Sequence, residues 1–164
     1  MAKPVHLSAA LAAGETAVEE TVAAILKNKG DQVWQIAPAA TVYQAVSEMA
    51  QQRIGALPVV DGGTLLGIVT ERDYARKIIL QGRTSSGTTV QEIMTHSPVT
   101  VTPVFTVKQC LRIMTVRRFR HLPVVDDGKL CGMISIGDLV AAVIASQTFT
   151  IEQLETYIAA DYPG

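Results

Sequence analysis

Apolar positions along the chain alternate between two periods. Val42, Ala45, Val46 and Met49 recur at helical spacing, and Val107, Cys110, Leu111 and Met114 do the same further on. Each stripe follows a capping-box form, Thr41-Val-Tyr-Gln44 and Thr106-Val-Lys-Gln109. A hydroxyl three residues before a glutamine satisfies free amides of a first helical turn, so helices should start there. A short β-branched run comes next, Ala56 to Val60, stopped by Asp61-Gly62-Gly63 and followed by Leu65 to Val69. Two such runs around a glycine-containing turn predict a hairpin. The second hairpin turns at Asp126-Asp127-Gly128. Thr70-Glu-Arg-Asp73 and Ser135-Ile-Gly-Asp138 then open a further helix each. A short strand is predicted before each unit, around Val33 to Ile36 and around Val99 to Val101.

The order is therefore β-α-β-β-α, twice, and the two units are copies. Residues 36–75 moved along by 65 fall on 101–140, where 15 of 40 positions are identical, Leu-Pro-Val-Val-Asp at 57–61 and 122–126 among them. One unit of about 50 residues buries a sheet face poorly, so the two should pack sheet to sheet. The predicted class is α+β: two βαββα repeats packed as a pseudo-twofold pair, with a short N-terminal helix and a C-terminal helical tail. The expected divisions are 1–30 for the N-terminal segment and its helix (about Ala17 to Lys29), 31–82 for repeat 1, 83–92 for a linker, 93–146 for repeat 2 and 147–164 for the tail. The linker begins in the run Gly82 to Thr89. In the tail, Phe149 to Ala160 reads as an amphipathic helix that docks on a sister subunit.

Composition narrows the function classes. A 164-residue chain with 48% hydrophobic residues and a formal charge of −1 lacks the basic excess of a broad nucleic-acid surface. Cys110 and Cys131, both inside apolar runs, read as core thiols of a reducing compartment. No stretch approaches the ~18 apolar residues of a membrane span, and the Ala-rich run Ser8 to Ala13 lacks the form of a secretory signal. The expected setting is cytoplasmic, with no nucleic acid and no membrane partner. Catalytic patterns are missing. Met133 stands where a nucleophile elbow around Ser135 needs glycine. There is no dinucleotide fingerprint or P-loop, and the cysteines and histidines form no metal-site spacing.

With these residues in hand the chain resembles a tandem pair of cystathionine-β-synthase-type (CBS) domains, a Bateman module, over roughly residues 17–145. The resemblance rests on the doubled Leu-Pro-Val-Val-Asp, on Gly-φ-φ-(Thr/Ser)-x-x-Asp (φ, apolar) at 67–73 and 132–138, and on Ile93-Met94-Thr95 before the second copy. Glu71 to Lys77 and Arg120-His-Leu-Pro123 look like small stand-alone CBS-pair proteins of bacteria and plant organelles. The resemblance implies a non-catalytic regulatory module. It implies adenosine ligands (AMP, ADP, ATP, NAD(H) or S-adenosylmethionine) held between the copies, a homodimer that pairs two modules, and control of an unidentified partner protein.

An adenosine site needs an acceptor for two ribose hydroxyls, a slot for a flat base and donors for phosphate. Asp73 and Asp138 stand at helix starts, where free amides and the helix dipole also favour phosphate. Thr70 and Ser135 stand three residues earlier. The base slot would come from Ile54, Gly55, Ala56 and Pro58, and from Phe119, Arg120, His121 and Pro123. Carried over by position, one cleft combines Asp138, Ser135, Arg120 and His121 with Ile54, Ala56 and Trp34. The other combines Asp73, Thr70 and Arg72 with Thr95, Val99, Phe119 and Pro123. The clefts differ, because Gly137 stands where the other has Arg72, and Lys27 to Gly30 replaces the Ile-Met-Thr element. Plainer readings stand beside these. Each Asp could serve only as a helix cap, Arg117, Arg118 and Arg120 as a solvated helix end, His121 as a packed ring, and Trp34 as core. The competing function is a protein-interaction scaffold with vestigial clefts.

Overall fold

The computed structural model describes residues 19–30 and 32–161, with side chains to residue 156. Helix α1 spans Val22–Lys29, starting at the N-cap Thr21. The predicted stretch before Val22 falls mainly outside the described residues. The first repeat runs α2 (Val42–Gln52), β1 (Ala56–Asp61), β2 (Thr64–Thr70) and α3 (Glu71–Tyr74), which continues as a π-helical turn over Ala75–Ile79. Helix α4 (Val90–Ile93) and β3 (Thr95–His96) lead into α5 (Val107–Arg117), β4 (His121–Asp126), β5 (Lys129–Ser135) and α6 (Ile136–Asp161).

The local signals act as the spacing predicts. In α2 and α5 the Thr41 and Thr106 hydroxyls accept from the Gln44 and Gln109 amides at 3.1 Å, and each glutamine side chain returns a bond to its cap residue. Both helices end on an arginine in the left-handed region, Arg53 and Arg118, at φ 55° and 58°. Both hairpins are antiparallel and carry a register shift at the same place, Val59/Val60 and Val124/Val125.

The strands expected at Val33 to Ile36 and Val99 to Val101 shrink to one parallel pairing each, Ile36 with Val59 and Val101 with Val124. Proline explains this. The Ile36 amide donates to Pro58 O, and the Val60 amide donates to Ile36 O. One step upstream the ladder would need an N–H from Pro58; one step downstream it would need one from Pro38. Neither residue has one. Pro123 and Pro103 limit the second copy identically. Residues 32–35 thus run beside β1 without joining it.

Each repeat completes its core with the helix that precedes the other repeat. Val22 and Ile25 of α1 are buried among Val107, Cys110, Met114, Leu122, Ile134 and Leu139 of the second repeat. Val90, Ile93 and Met94 are buried among Val42, Met49, Leu57, Val59 and Val69 of the first. The crossing is tied through the backbone. Val107 donates its amide to Glu20 O and Val42 donates to Thr88 O, each satisfying a first-turn amide of the opposite unit's helix. Leu26 lies over Gly132 and Met94 over Gly67, so closely that a Cβ at either glycine would collide with them.

The second repeat's final helix and the tail are one element. Helix α6 runs for 26 residues, about 39 Å at 1.5 Å per residue. No glycine or proline interrupts it between Asp138 and Asp161, so the helix opened at Ser135 has no reason to stop where the repeat ends. Leu139 and Ala142 are buried, whereas residues 144–156 are exposed, Phe149, Ile151 and Leu154 among them. Ile78, in the π-helical turn, is buried in the first core.

Candidate functional site

The side chains brought together most tightly surround Asp138, in the first turn of α6. Its Oδ2 accepts the Ser135 amide at 2.8 Å, while its own amide donates to Ser135 Oγ at 3.2 Å. The expected cap is therefore present, but the same carboxylate oxygen also takes the Lys29 ammonium at 2.9 Å. Lys29 Nζ donates a second bond to Met133 O at 2.9 Å. Burial is the largest single influence on the Asp138 carboxyl and would raise its pKa. The Ser135 amide and hydroxyl together with Lys29 outweigh burial and hold it below the ordinary carboxylate value.

Asp138 and Ser135 line a cleft of about 560 Å³ between the repeats. Ile54, Gly55, Ala56 and Pro58 form the wall from the first repeat, and His121 faces them from the second. A Cβ at Gly55 would sit 3.4 Å from His121 Cε1, so the imidazole lies directly over the glycine. Burial depresses the pKa of His121, Lys29 and Arg120 push the same way, and Asp138 opposes them. The ring is thus held toward its neutral form. Trp34 is 36% exposed and lines the cleft, which removes the core reading of this residue. Its position follows from the proline-limited ladder, which leaves residues 32–35 free of β1.

The sequence reading missed Lys29, Arg53, Leu26 and Met133 in this lining. Lys29 and Asp138 are separated by 109 residues, beyond any local pattern. One signal was available, since Lys29 stands where Met94 stands in the second copy, at the departure already noted. Arg120 was expected here, yet its side chain is exposed and outside the lining. Its backbone carbonyl instead accepts the Ile136 amide, as Gly55 O accepts that of Glu71. Gly137 is exposed, and a Cβ there would meet Ser135 Oγ at an ordinary 3.6 Å, so the chain's approach does not demand glycine.

Around Asp73 the cap recurs with a different cation. Asp73 Oδ2 accepts from the Thr70 amide and hydroxyl at 3.0 and 3.1 Å. Its Oδ1 pairs with Lys77, four residues on, at 3.1 Å, and Lys77 also donates to Ile93 O at 2.6 Å. Arg72 reaches across to Arg118 O at 3.3 Å, joining the two repeats. Of the residues expected opposite, Pro123 is buried and Thr95 is exposed in β3, paired with Ile68. Val99 and Phe119 pack against the second core and so contribute to packing. No group of three or more His, Cys, Asp or Glu suited to a metal occurs among the described residues. Among them, too, no helix is long and apolar enough to cross a membrane.

Known proteins share this sequence pattern and this fold. The CBS domain family matches residues 30–80 and 90–145. A mitochondrial CBS domain-containing protein of Arabidopsis thaliana is 44% identical over 151 residues, covering 87% of this chain and 73% of its own. A solved structure of a protein with CBS domains from Burkholderia ambifaria superposes with a TM-score of 0.75 at 52% identity, over 77% of this chain and 96% of that one. The CBS domain pair of protein MJ0100, solved with 5′-methylthioadenosine and S-adenosyl-L-methionine, shares the fold at 24% identity, with a TM-score of 0.69 over 79% of this chain and 98% of that pair.

Proposed function

The chain belongs to the CBS domain family, and we propose on that premise that it is a non-catalytic regulatory module that senses adenine nucleotides (AMP, ADP, ATP or NAD(H)) between its repeats. One observation carries the reading. A carboxylate at a helix start opens into a 560 Å³ cleft whose opposite wall is Ile54, Gly55, Ala56 and Pro58. That arrangement offers an acceptor for a ribose diol beside a flat apolar slot, at the positive end of a helix dipole that favours phosphate. A CBS pair of the same fold holds adenosine compounds. The module works as a homodimer, with the exposed apolar stretch of α6 as part of its contact, and passes ligand occupancy to a regulated protein. We place it in the cytoplasm on its two free cysteines; the Arabidopsis relative's name places that protein in mitochondria.

Asp73→Asn and Asp138→Asn test the assignment. Asparagine remains a good helix capper and the paired lysines are partly exposed, so folding stability should change by less than about 1 kcal/mol. Loss of a charged acceptor for ribose hydroxyls, about 1.5–3 kcal/mol, should weaken AMP roughly ten- to a hundredfold at the affected cleft. Titration calorimetry that finds AMP bound as tightly by both variants as by the parent removes the assignment. Melting curves unmoved by every adenine nucleotide would instead support the scaffold.

A further inference from the structure

The two aspartates have each recruited a lysine, but from different elements. Lys77 sits on the same helix as Asp73 and is anchored to Ile93 O. Lys29 arrives from the last turn of α1, a separate helix packed on the second repeat beside the helix that carries Asp138, and is anchored to Met133 O. The duplication makes the difference sharp. At the position equivalent to Lys29 the second copy has Met94, buried over Gly67, and at the position equivalent to Lys77 it has Ala142.

This placement gives Lys29 two possible anions. Its side chain is 42% exposed, and a flexible four-carbon stem lets the ammonium turn without moving α1. A ribose diol that donates to Asp138 Oδ2 competes with Lys29 for that oxygen. The displaced ammonium then needs another anion within the same cleft, where Arg53 supplies a second positive charge and His121 is held toward neutrality. A nucleoside takes the carboxylate and offers nothing in return, whereas a nucleotide brings a phosphate. Lys77 also has a carbonyl anchor, but it pairs with a carboxylate four residues back on its own helix, whereas Lys29 meets Asp138 from a separate element.

We infer that Lys29 makes the Asp138 cleft selective for phosphate-bearing nucleotides, as the counter-ion of Asp138 until a ribose takes that carboxylate and then as the cation for the ligand's phosphate. The inference rests on the proposed adenine-nucleotide site and names its specificity-determining residue. It predicts a loss for AMP that adenosine does not share, which a merely structural lysine would not produce.

The experiment is titration calorimetry with adenosine, AMP and ATP on the full chain, following the binding step that Asp138→Asn weakens. The parent should bind AMP at least about tenfold more tightly than adenosine, the worth of one charge-assisted hydrogen bond. In Lys29→Met, which installs the second copy's residue, AMP should weaken by about that factor while adenosine binds as well as before or better. The preference should collapse to within about threefold, and Lys29→Arg should restore it. If Lys29→Met folds poorly, Lys29→Gln reads the same ratio. Equal loss of adenosine and AMP, or a preference unchanged without the lysine, overturns the inference while the site stands. If Asp138→Asn weakens no step, the site reading itself fails and the inference falls with it.

Discussion

Ile25 lies in a helix that precedes the first repeat, yet its side chain is 5% exposed and buried against Leu122, Ile134 and Leu139 of the second. Truncation to alanine tests whether that crossed packing is structural. Three carbons leave the core, about 2.4 kcal/mol at ~0.8 kcal/mol per buried methylene. A residual cavity adds to this, and measured Ile→Ala changes run at about 2–5 kcal/mol. In a domain of this size 1 kcal/mol moves Tm by about 2–4 °C, so a loss of about 3 kcal/mol lowers Tm by roughly 6–12 °C. A helix merely resting on the surface would give about 0.5 kcal/mol or less. Calorimetric melting supplies the magnitude, and hydrogen exchange supplies the location. Protection at the Leu122 and Ile134 amides should fall at least as much as at Leu57 and Val69. A Tm change under about 2 °C, or lost protection in the first repeat with the second intact, would refute the reasoning.

Thr106→Ala removes the hydroxyl that accepts the Gln109 amide; it should cost about 1 kcal/mol, seen as a fall of roughly 2–4 °C in Tm. The His121 imidazole should titrate below about 6.5 in the folded protein, as read by NMR of its ring protons. Because its folded pKa is depressed, its contribution to stability is complete above about 6.5 and is lost as pH falls from there through the folded midpoint. Lys29→Met removes one of the influences that lower it and should raise that midpoint; a parent midpoint at or above 6.5 contradicts the burial argument. A chain ending at Gln147 should keep its folded circular dichroism, and its mass by light scattering should fall from the twice 17.6 kDa of the full-length dimer to the mass of one shortened chain. A truncated chain that stays dimeric shows that α6 is not the contact.

What the sequence showed clearly was whatever is decided within a few residues. Thr41 with Gln44, Thr106 with Gln109 and the two hairpins around Gly63 and Gly128 are local arrangements, and duplication repeated each signal. Even the strand reading at Val33 to Ile36 failed for a local reason, the missing N–H groups of Pro38 and Pro58, which a ladder drawn atom by atom would have revealed. The meeting of Ile54 to Pro58 with His121 was legible only through the CBS resemblance, which implies clefts that mix both copies. Lys29 was not, because α1 crosses to the far repeat and no periodicity encodes which sheet a helix will cover. The long α6 is hidden for the opposite reason: the repeat pattern ends near residue 146, although no residue there breaks a helix.

The crossed helices also set a timetable for synthesis. Helix α1 leaves the ribosome first, but Leu122 and Ile134, which bury Ile25, follow about a hundred residues later. At about 5–20 residues per second the helix waits several seconds or more for its core. The first repeat waits too, since Val90, Ile93 and Met94 must emerge before its own core closes. Neither half can therefore finish alone as the chain grows, and the nascent protein carries apolar side chains of α1 in water until β4 and β5 have been made. That interval is when a chaperone has something to hold, and an interrupted chain ending before β4 should be far more prone to aggregation than its length suggests.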